Sequence, residues 1–243
     1  NLPHQQEGAL KILRDLDGRA LLADEVGLGK TITSGMVLKE CIVRGFVRKA
    51  LILTPPSLVN QWKEELSTKF DLDFKEISNE KEWENTGLAI ASIDKVKNFN
   101  ASTNEFKHSR AHEIYWDIII IDEAHKLKDK KTFRWRFVDR LQKKRLLLLT
   151  ATPFQNDLIE LYNLLSLLRR GHLGTISEFR SSFLVNGNER QPLNPLELKR
   201  KLSEVMIRRR RDEVTGIRYM KRIPMVRPIN LSWQEKKEKD LIL

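Results

Sequence analysis

The sequence predicts an α/β protein: a parallel sheet with helices on both faces, followed by a helical appendage. Three observations predict it. Short apolar runs alternate with amphipathic stretches up to Thr150. The run Ile118–Ile121 is apolar at every position, the pattern of a strand covered on both faces. Beyond residue 156, Leu158, Leu161, Leu164, Leu165 and Leu168 recur at helical spacing.

Taken in order, strands are expected near Ala20–Ala23, Ala50–Thr54, Phe74–Ile77, Leu88–Ser92, Ile118–Ile121 and Leu146–Leu149. Amphipathic helices are expected at Thr31–Arg44 and Leu58–Phe70. Strand–helix–strand alternation of this kind builds a parallel sheet with helices on both sides. The stretch Ser102–His112 is polar without period and reads as a surface loop. Phe133-Arg134-Trp135-Arg136-Phe137 lies between two buried strands, and a helix with its aromatics packed inward fits it better than a base-stacking ladder. Phe179, Phe183 and the stretch Leu196–Met206 continue in helical style, so residues 157–207 read as all-helical. Pro224 and Pro228 punctuate an extended run, and Ser232 can cap a new polar helix.

Composition narrows the class. The chain has 243 residues, 40% of them hydrophobic, enough for a real core. Its one cysteine, Cys41, excludes an internal disulfide and fits a reducing compartment. The five histidines are scattered, without the Cys/His spacing of a metal site. No apolar run approaches a membrane span and no signal peptide opens the chain, so an intracellular protein is expected, cytoplasmic in a prokaryote or nuclear in a eukaryote. The chain lacks an initiating Met and reads as a fragment or a processed product. Net charge is +11, which points to a polyanion. Lys199–Arg227 holds eleven Lys or Arg against three acids, so most of the excess sits there. Such a tail suits a phosphate backbone or a solvated connector.

The chemistry begins at Leu21-Leu22-Ala23-Asp24-Glu25-Val26-Gly27-Leu28-Gly29-Lys30-Thr31. An apolar run stops, a glycine-bearing turn follows, and Gly-Lys-Thr opens a helix. Backbone N–H groups at such a turn can face an anion, and the helix N-terminus attracts it. Lys30 would reach the β- and γ-phosphates of a nucleotide, and the Thr31 hydroxyl would hold Mg²⁺. The full pattern asks for Gly where Asp24 stands, and Gly27 supplies the flexibility instead. Asp122-Glu123 then ends the isoleucine run, at the carboxyl end of a strand where ligands bind. Asp122 suits Mg²⁺, and Glu123 suits a base that orients the attacking water.

These blocks, with four others, stand in the order found in superfamily-two nucleic-acid motors. Pro3-His4-Gln5-Gln6-Glu7-Gly8 resembles the adenine-reading block, with Gln5 as reader. Leu22–Thr31 resembles motif I, Leu53–Trp62 motif Ia, Asp122–His125 motif II, and Leu149–Asn156 motif III with a Thr-Pro-Phe-Gln-Asn tail. Met206-Ile207-Arg208-Arg209 resembles a segment that follows the first lobe. The chain thus resembles the first RecA-like lobe of Swi/Snf-type DNA translocases. Gly-Leu-Gly-Lys-Thr and Thr-Ala-Thr set it apart from RNA helicases with the same motif II letters. The motif I form is also similar to the RapA-like RNA-polymerase-associated ATPases, and one lobe does not separate the two.

The resemblance implies a RecA-like P-loop lobe, a three-layer parallel sheet, over residues 1–156. It implies a helical protrusion over 157–215, and over 216–243 a linker and the start of a second lobe. It implies ATP and Mg²⁺ as cofactors, with Gln5, Asp24, Gly27, Leu28, Gly29, Lys30 and Thr31 at the nucleotide. Glu123, Lys30 and Asp122 would be catalytic, with Thr31 and Asp122 on Mg²⁺. His125, Thr150 and Thr152 would couple nucleotide state to DNA. Thr54, Ser92, Arg208 and Arg209 are candidate DNA contacts, and Lys126 and Lys128 suit DNA or solvent equally. Arginine fingers would come from the second lobe, not from Arg208–Arg211. Partners implied are duplex DNA, the second lobe and a DNA-bound protein complex, with no membrane. A nucleotide-responsive module that docks to DNA or RNA polymerase is the alternative. A small-molecule kinase would leave motif Ia and Thr-Ala-Thr-Pro unexplained.

Overall fold

The structure, a computed structural model, describes residues 2–84, 86–153, 157–185 and 188–214, without the side chains of 188 and 189. Seven parallel strands form the central sheet: β1 (Arg19–Leu22), β2 (Ala50–Thr54), β3 (Lys75–Glu76), β4 (Leu88–Ser92), β7 (Tyr115–Ile121), β8 (Gln142–Leu149) and β11 (Met206–Ile207). Their order is β11-β1-β8-β7-β2-β4-β3. The six strands expected from the apolar runs are all present.

Side chains alternate across a strand, and the two hydrophobic clusters divide by that parity. Leu21, Leu53, Ile119, Ile121, Leu146 and Leu148 lie on one face. Leu22, Ile52, Ile118, Ile120, Leu147 and Leu149 lie on the other. The continuous isoleucine run is therefore shared between two cores, which is why no polar residue interrupts it.

Helices α1 (Pro3–Arg14), α2 (Lys30–Val43) and α3 (Val59–Phe70) cover one face through Ile12, Val37, Leu38, Trp62 and Leu66. Cys41 is buried among them, and burial pushes its thiol upward. The other face is covered by α4 (Ile93–Val96), α5 (Phe133–Arg140), α6 (Leu158–Leu168), α7 (Ile176–Phe183) and α8 (Pro195–Ser203). The leucine stripe of α6 is core: Leu161 and Leu164 are fully buried. The expected surface loop contains a small hairpin, β5 (Phe99–Asn100) with β6 (Glu105–Phe106). In α5 Phe137 is buried, whereas Phe133 is 45% exposed and stacks on Phe99.

The stretch 157–207 is not all helix. A hairpin, β9 (Leu184–Val185) with β10 (Asn188–Pro192), interrupts it, and the chain re-enters the sheet as β11. Two residues of strand leave no apolar run to detect. Backbone pairing carries β11 instead: Leu21 N–H donates to Val205, Ala23 N–H to Ile207, and Glu25 N–H to Arg209. The tail of motif III (154–156) and the expected linker and second-lobe start (216–243), with Pro224, Pro228 and Ser232, lie outside the described residues. Among the described residues no helix is long and apolar enough to cross a membrane.

Candidate nucleotide-binding site

In the strand order β1, β8 and β7 are neighbours, so the loops that follow them meet at one edge of the sheet. That is where the sheet of an α/β protein binds ligands. The loop after β1 runs from Ala23 to Gly29 and opens α2. Gly27 and Gly29 adopt left-handed backbone, φ 87° and 79°, which side chains resist. The first N–H groups of α2 have no partner within the helix and point at this edge.

Lys30 Nζ folds back to donate to the Asp24 carbonyl at 2.8 Å. Burial lowers its pKa, opposed by the charges of Asp24, Glu123 and Asp122. A phosphate at this edge would add a further negative counter-charge to the buried ammonium. Thr31 follows it in the first turn of α2.

Asp122 is held by three donors. Trp62 Nε1 donates to Oδ2 at 2.8 Å, the Thr54 hydroxyl to the same oxygen at 3.4 Å, and the Glu123 N–H to Oδ1 at 2.8 Å. Lone pairs remain on both oxygens for a cation or its water. Among the described residues no group of three or more His, Cys, Asp or Glu side chains could hold a metal. A lone carboxylate with a hydroxyl fits Mg²⁺ bound mainly by phosphates and water. Glu123 is left-handed at φ 50° and ψ 46°, a costly conformation outside glycine that recurs at functional sites. Its Oε2 lies 3.1 Å from His125 Nδ1, which lies 3.3 Å from the Thr150 hydroxyl. The Thr152 N–H donates to that hydroxyl at 3.1 Å. A chain of polar contacts thus joins the acid after β7 to the loop after β8. Which of His125 and Thr150 donates follows the imidazole tautomer.

Other expected residues are placed differently. The Gln5 amide is engaged within the protein: Nε2 donates to the Leu28 carbonyl at 3.3 Å, and Oε1 accepts from the Leu2 N–H at 3.0 Å. His4 Nε2 reaches the same Leu28 carbonyl at 2.9 Å. The Asp24 carboxylate is 1% exposed and engaged by Arg209, at 2.9 Å from Nη2 to Oδ2 and 3.2 Å from Nε to Oδ1. This explains the departure from glycine at position 24. The guanidinium of Arg209, a candidate DNA contact, is engaged by Asp24 and the His4 carbonyl. Thr54 and Ser92, also candidate DNA contacts, are buried, at 0% and 4% exposure. Arg208 is exposed. Trp62, the last residue of the motif Ia stretch, holds Asp122. His4, Arg209 and Arg211 were not foreseen at the loop, since nothing local in sequence joins them to it.

Residues 4–238 match the profile of the SNF2-related domain family. The chain is 44% identical over 235 residues to the uncharacterized ATP-dependent helicase YqhH of Bacillus subtilis, covering 96% of this chain and 40% of that protein. It is 38% identical over 176 residues to the RNA polymerase-associated protein RapA of Actinobacillus pleuropneumoniae serotype 7, covering 63% of this chain and 18% of RapA. The Sulfolobus solfataricus SWI2/SNF2 ATPase core in complex with dsDNA is similar in structure, with TM-score 0.72 and 28% identity over 86% of this chain and 44% of that one. The chain therefore spans less than half the length of these relatives.

Proposed function

The chain belongs to the SNF2-related domain family, and on that premise we propose that it is the nucleotide-binding lobe of an ATP-driven motor that moves along duplex DNA. The observation that carries the reading is the meeting of Lys30, Asp122 and Glu123 at one sheet edge, with the acid wired through His125 to Thr150. The Sulfolobus core with a similar fold is bound to dsDNA. The basic stretch from Lys199, with Arg208 exposed, supports the same partner here.

In this reading the glycine loop and α2 N-terminus seat the phosphates, and Lys30 neutralises the β- and γ-oxygens. Thr31 and Asp122 would hold Mg²⁺, which would withdraw charge from the phosphates. Glu123 orients the water that attacks the γ-phosphate. His125, Thr150 and Thr152 carry the change at the acid to the DNA-facing side. Charge stabilisation by arginine fingers comes from a second lobe, so this lobe alone binds ATP and turns it over slowly.

The test is the ATPase rate with and without duplex DNA, on this chain and on the full-length protein, with Glu123→Gln as control. DNA-stimulated turnover in the full-length protein alone, abolished by Glu123→Gln with ATP binding retained, is expected. A full-length protein indifferent to DNA sinks the translocase reading. Given the likeness to RapA, that result would favour the alternative, a nucleotide-responsive module docking to RNA polymerase.

A further inference from the structure

Beyond β11 the backbone continues as an extended strap laid along the phosphate loop. The Glu25 N–H donates to the Arg209 carbonyl at 3.0 Å, and the Arg209 N–H donates to Asp24 Oδ1 at 2.9 Å. The Arg209 guanidinium grips both Asp24 oxygens as a fork, and its third nitrogen donates to the His4 carbonyl of α1. Two residues on, Arg211 donates through Nε and Nη2 to the Val26 carbonyl at 2.8 and 2.6 Å. Its backbone N–H meets Glu25 Oε2 at 2.9 Å. The two arginines differ in burial. Arg209 is 17% exposed against a partner at 1%, whereas Arg211 is 41% exposed. Gly8 on α1 makes room: a Cβ there would collide with Arg209 Nη2.

We propose that Arg209 is a positioning residue for the nucleotide: its fork on Asp24 fixes the phosphate loop between α1 and β11, so the phosphate socket is complete only while the strap is docked. A buried, bidentate pair is rigid and directional, unlike a surface pair. It acts on the loop from the side that Lys30 leaves open: Lys30 takes the Asp24 carbonyl, while Arg209 takes its carboxylate. Locally, residues 24 and 25 are held only through their carbonyls, by Lys30 Nζ and the Leu28 N–H, so among the described residues the Asp24 side chain takes its partner from the strap. Loop geometry then depends on a segment 185 residues away in sequence. Arg211 is the less buried part of the same strap, tied to Val26 and Glu25. The proposal rests on the reading of this loop as a nucleotide site.

The experiment measures the dissociation constant of a fluorescent ATP analogue with Mg²⁺, alongside the melting temperature. Variants are Arg209→Ala, Arg209→Lys, Asp24→Asn and Gly8→Ala, with Lys30→Ala as the site control. Arg209→Ala and Asp24→Asn are expected to weaken binding at least tenfold, and Arg209→Lys to recover only part of it, because a lysine cannot fork. Gly8→Ala keeps both charges and favours the helix, so the fold survives while the side chain of Arg209 is displaced. Displacing the fork also strips the buried Asp24 carboxylate of its partner, so Gly8→Ala lowers the melting temperature along with binding. The mark of positioning is Arg209→Lys, whose retained charge restores the melting temperature more fully than it restores binding. If wild type binds and Lys30→Ala does not, yet Gly8→Ala and Arg209→Ala bind like wild type, the clamp is overturned and the nucleotide site stands. If Lys30→Ala binds as well as wild type, the site reading fails and the clamp with it.

Discussion

Replacing Trp62 by Phe removes one donor from Asp122 and leaves an aromatic ring in the core. The indole is 2% exposed, and its Nε1–H lies 2.8 Å from Oδ2. A hydrogen bond to a charged acceptor contributes about 1.5–3 kcal/mol. The smaller ring leaves a void that adds about 1 kcal/mol. Thr54 cannot take over, because its hydroxyl already sits at 3.4 Å, the long limit of such a bond. A loss of roughly 2.5–4 kcal/mol lowers the melting temperature by about 5–16 °C in a chain of this size. Asp122 also loses the donor that orients it, and removing an outer-shell partner of this kind typically weakens metal binding by about 10–100-fold. The assay is a Mg²⁺ titration of bound fluorescent ATP analogue, run beside thermal melting. A shifted Mg²⁺ midpoint with a lowered melting temperature is expected. A lowered melting temperature with an unmoved Mg²⁺ midpoint would refute the reasoning, leaving Trp62 as packing alone.

Three further outcomes are expected. Leu161→Ala, at a fully buried position of α6, costs about 2–5 kcal/mol in a urea melt, which would show that α6 belongs to the core of the sheet. Gly35→Ala places a methyl against the buried side of Phe70 and destabilises by about 1–3 kcal/mol despite better helix propensity, whereas a gain in stability would mean Phe70 moves freely. Lys143 donates to the Val138 and Leu141 carbonyls, and burial holds its pKa at about 8. The unfolded chain keeps that proton up to the ordinary lysine value, so between about pH 8 and 10 the unfolded state binds more protons and stability rises with pH. That rise should vanish from denaturant melts of Lys143→Met.

Much of this protein is legible along the chain because its signals are local. Alternation of apolar runs and amphipathic stretches predicted six of the seven sheet strands, since a strand covered on both faces must be apolar at consecutive positions. Lys30 with its glycines, and Asp122 with Glu123, could be read as a nucleotide site because strand ends and helix starts put them at one edge by topology. Long-range partners decided the rest. β11 is two residues long and is held by backbone pairing to β1, which leaves no trace in side-chain pattern. Thr54 and Ser92 end expected strands in sequence, and only the packed sheet shows how deeply both are buried. Arg209 looks like one more basic residue in a charged tail, and only the docking of the strap against Asp24 gives it a partner. Hydrophobic pattern specifies which face of an element is buried. It does not say which charge meets which, because an ion pair depends on two chain segments arriving at the same place.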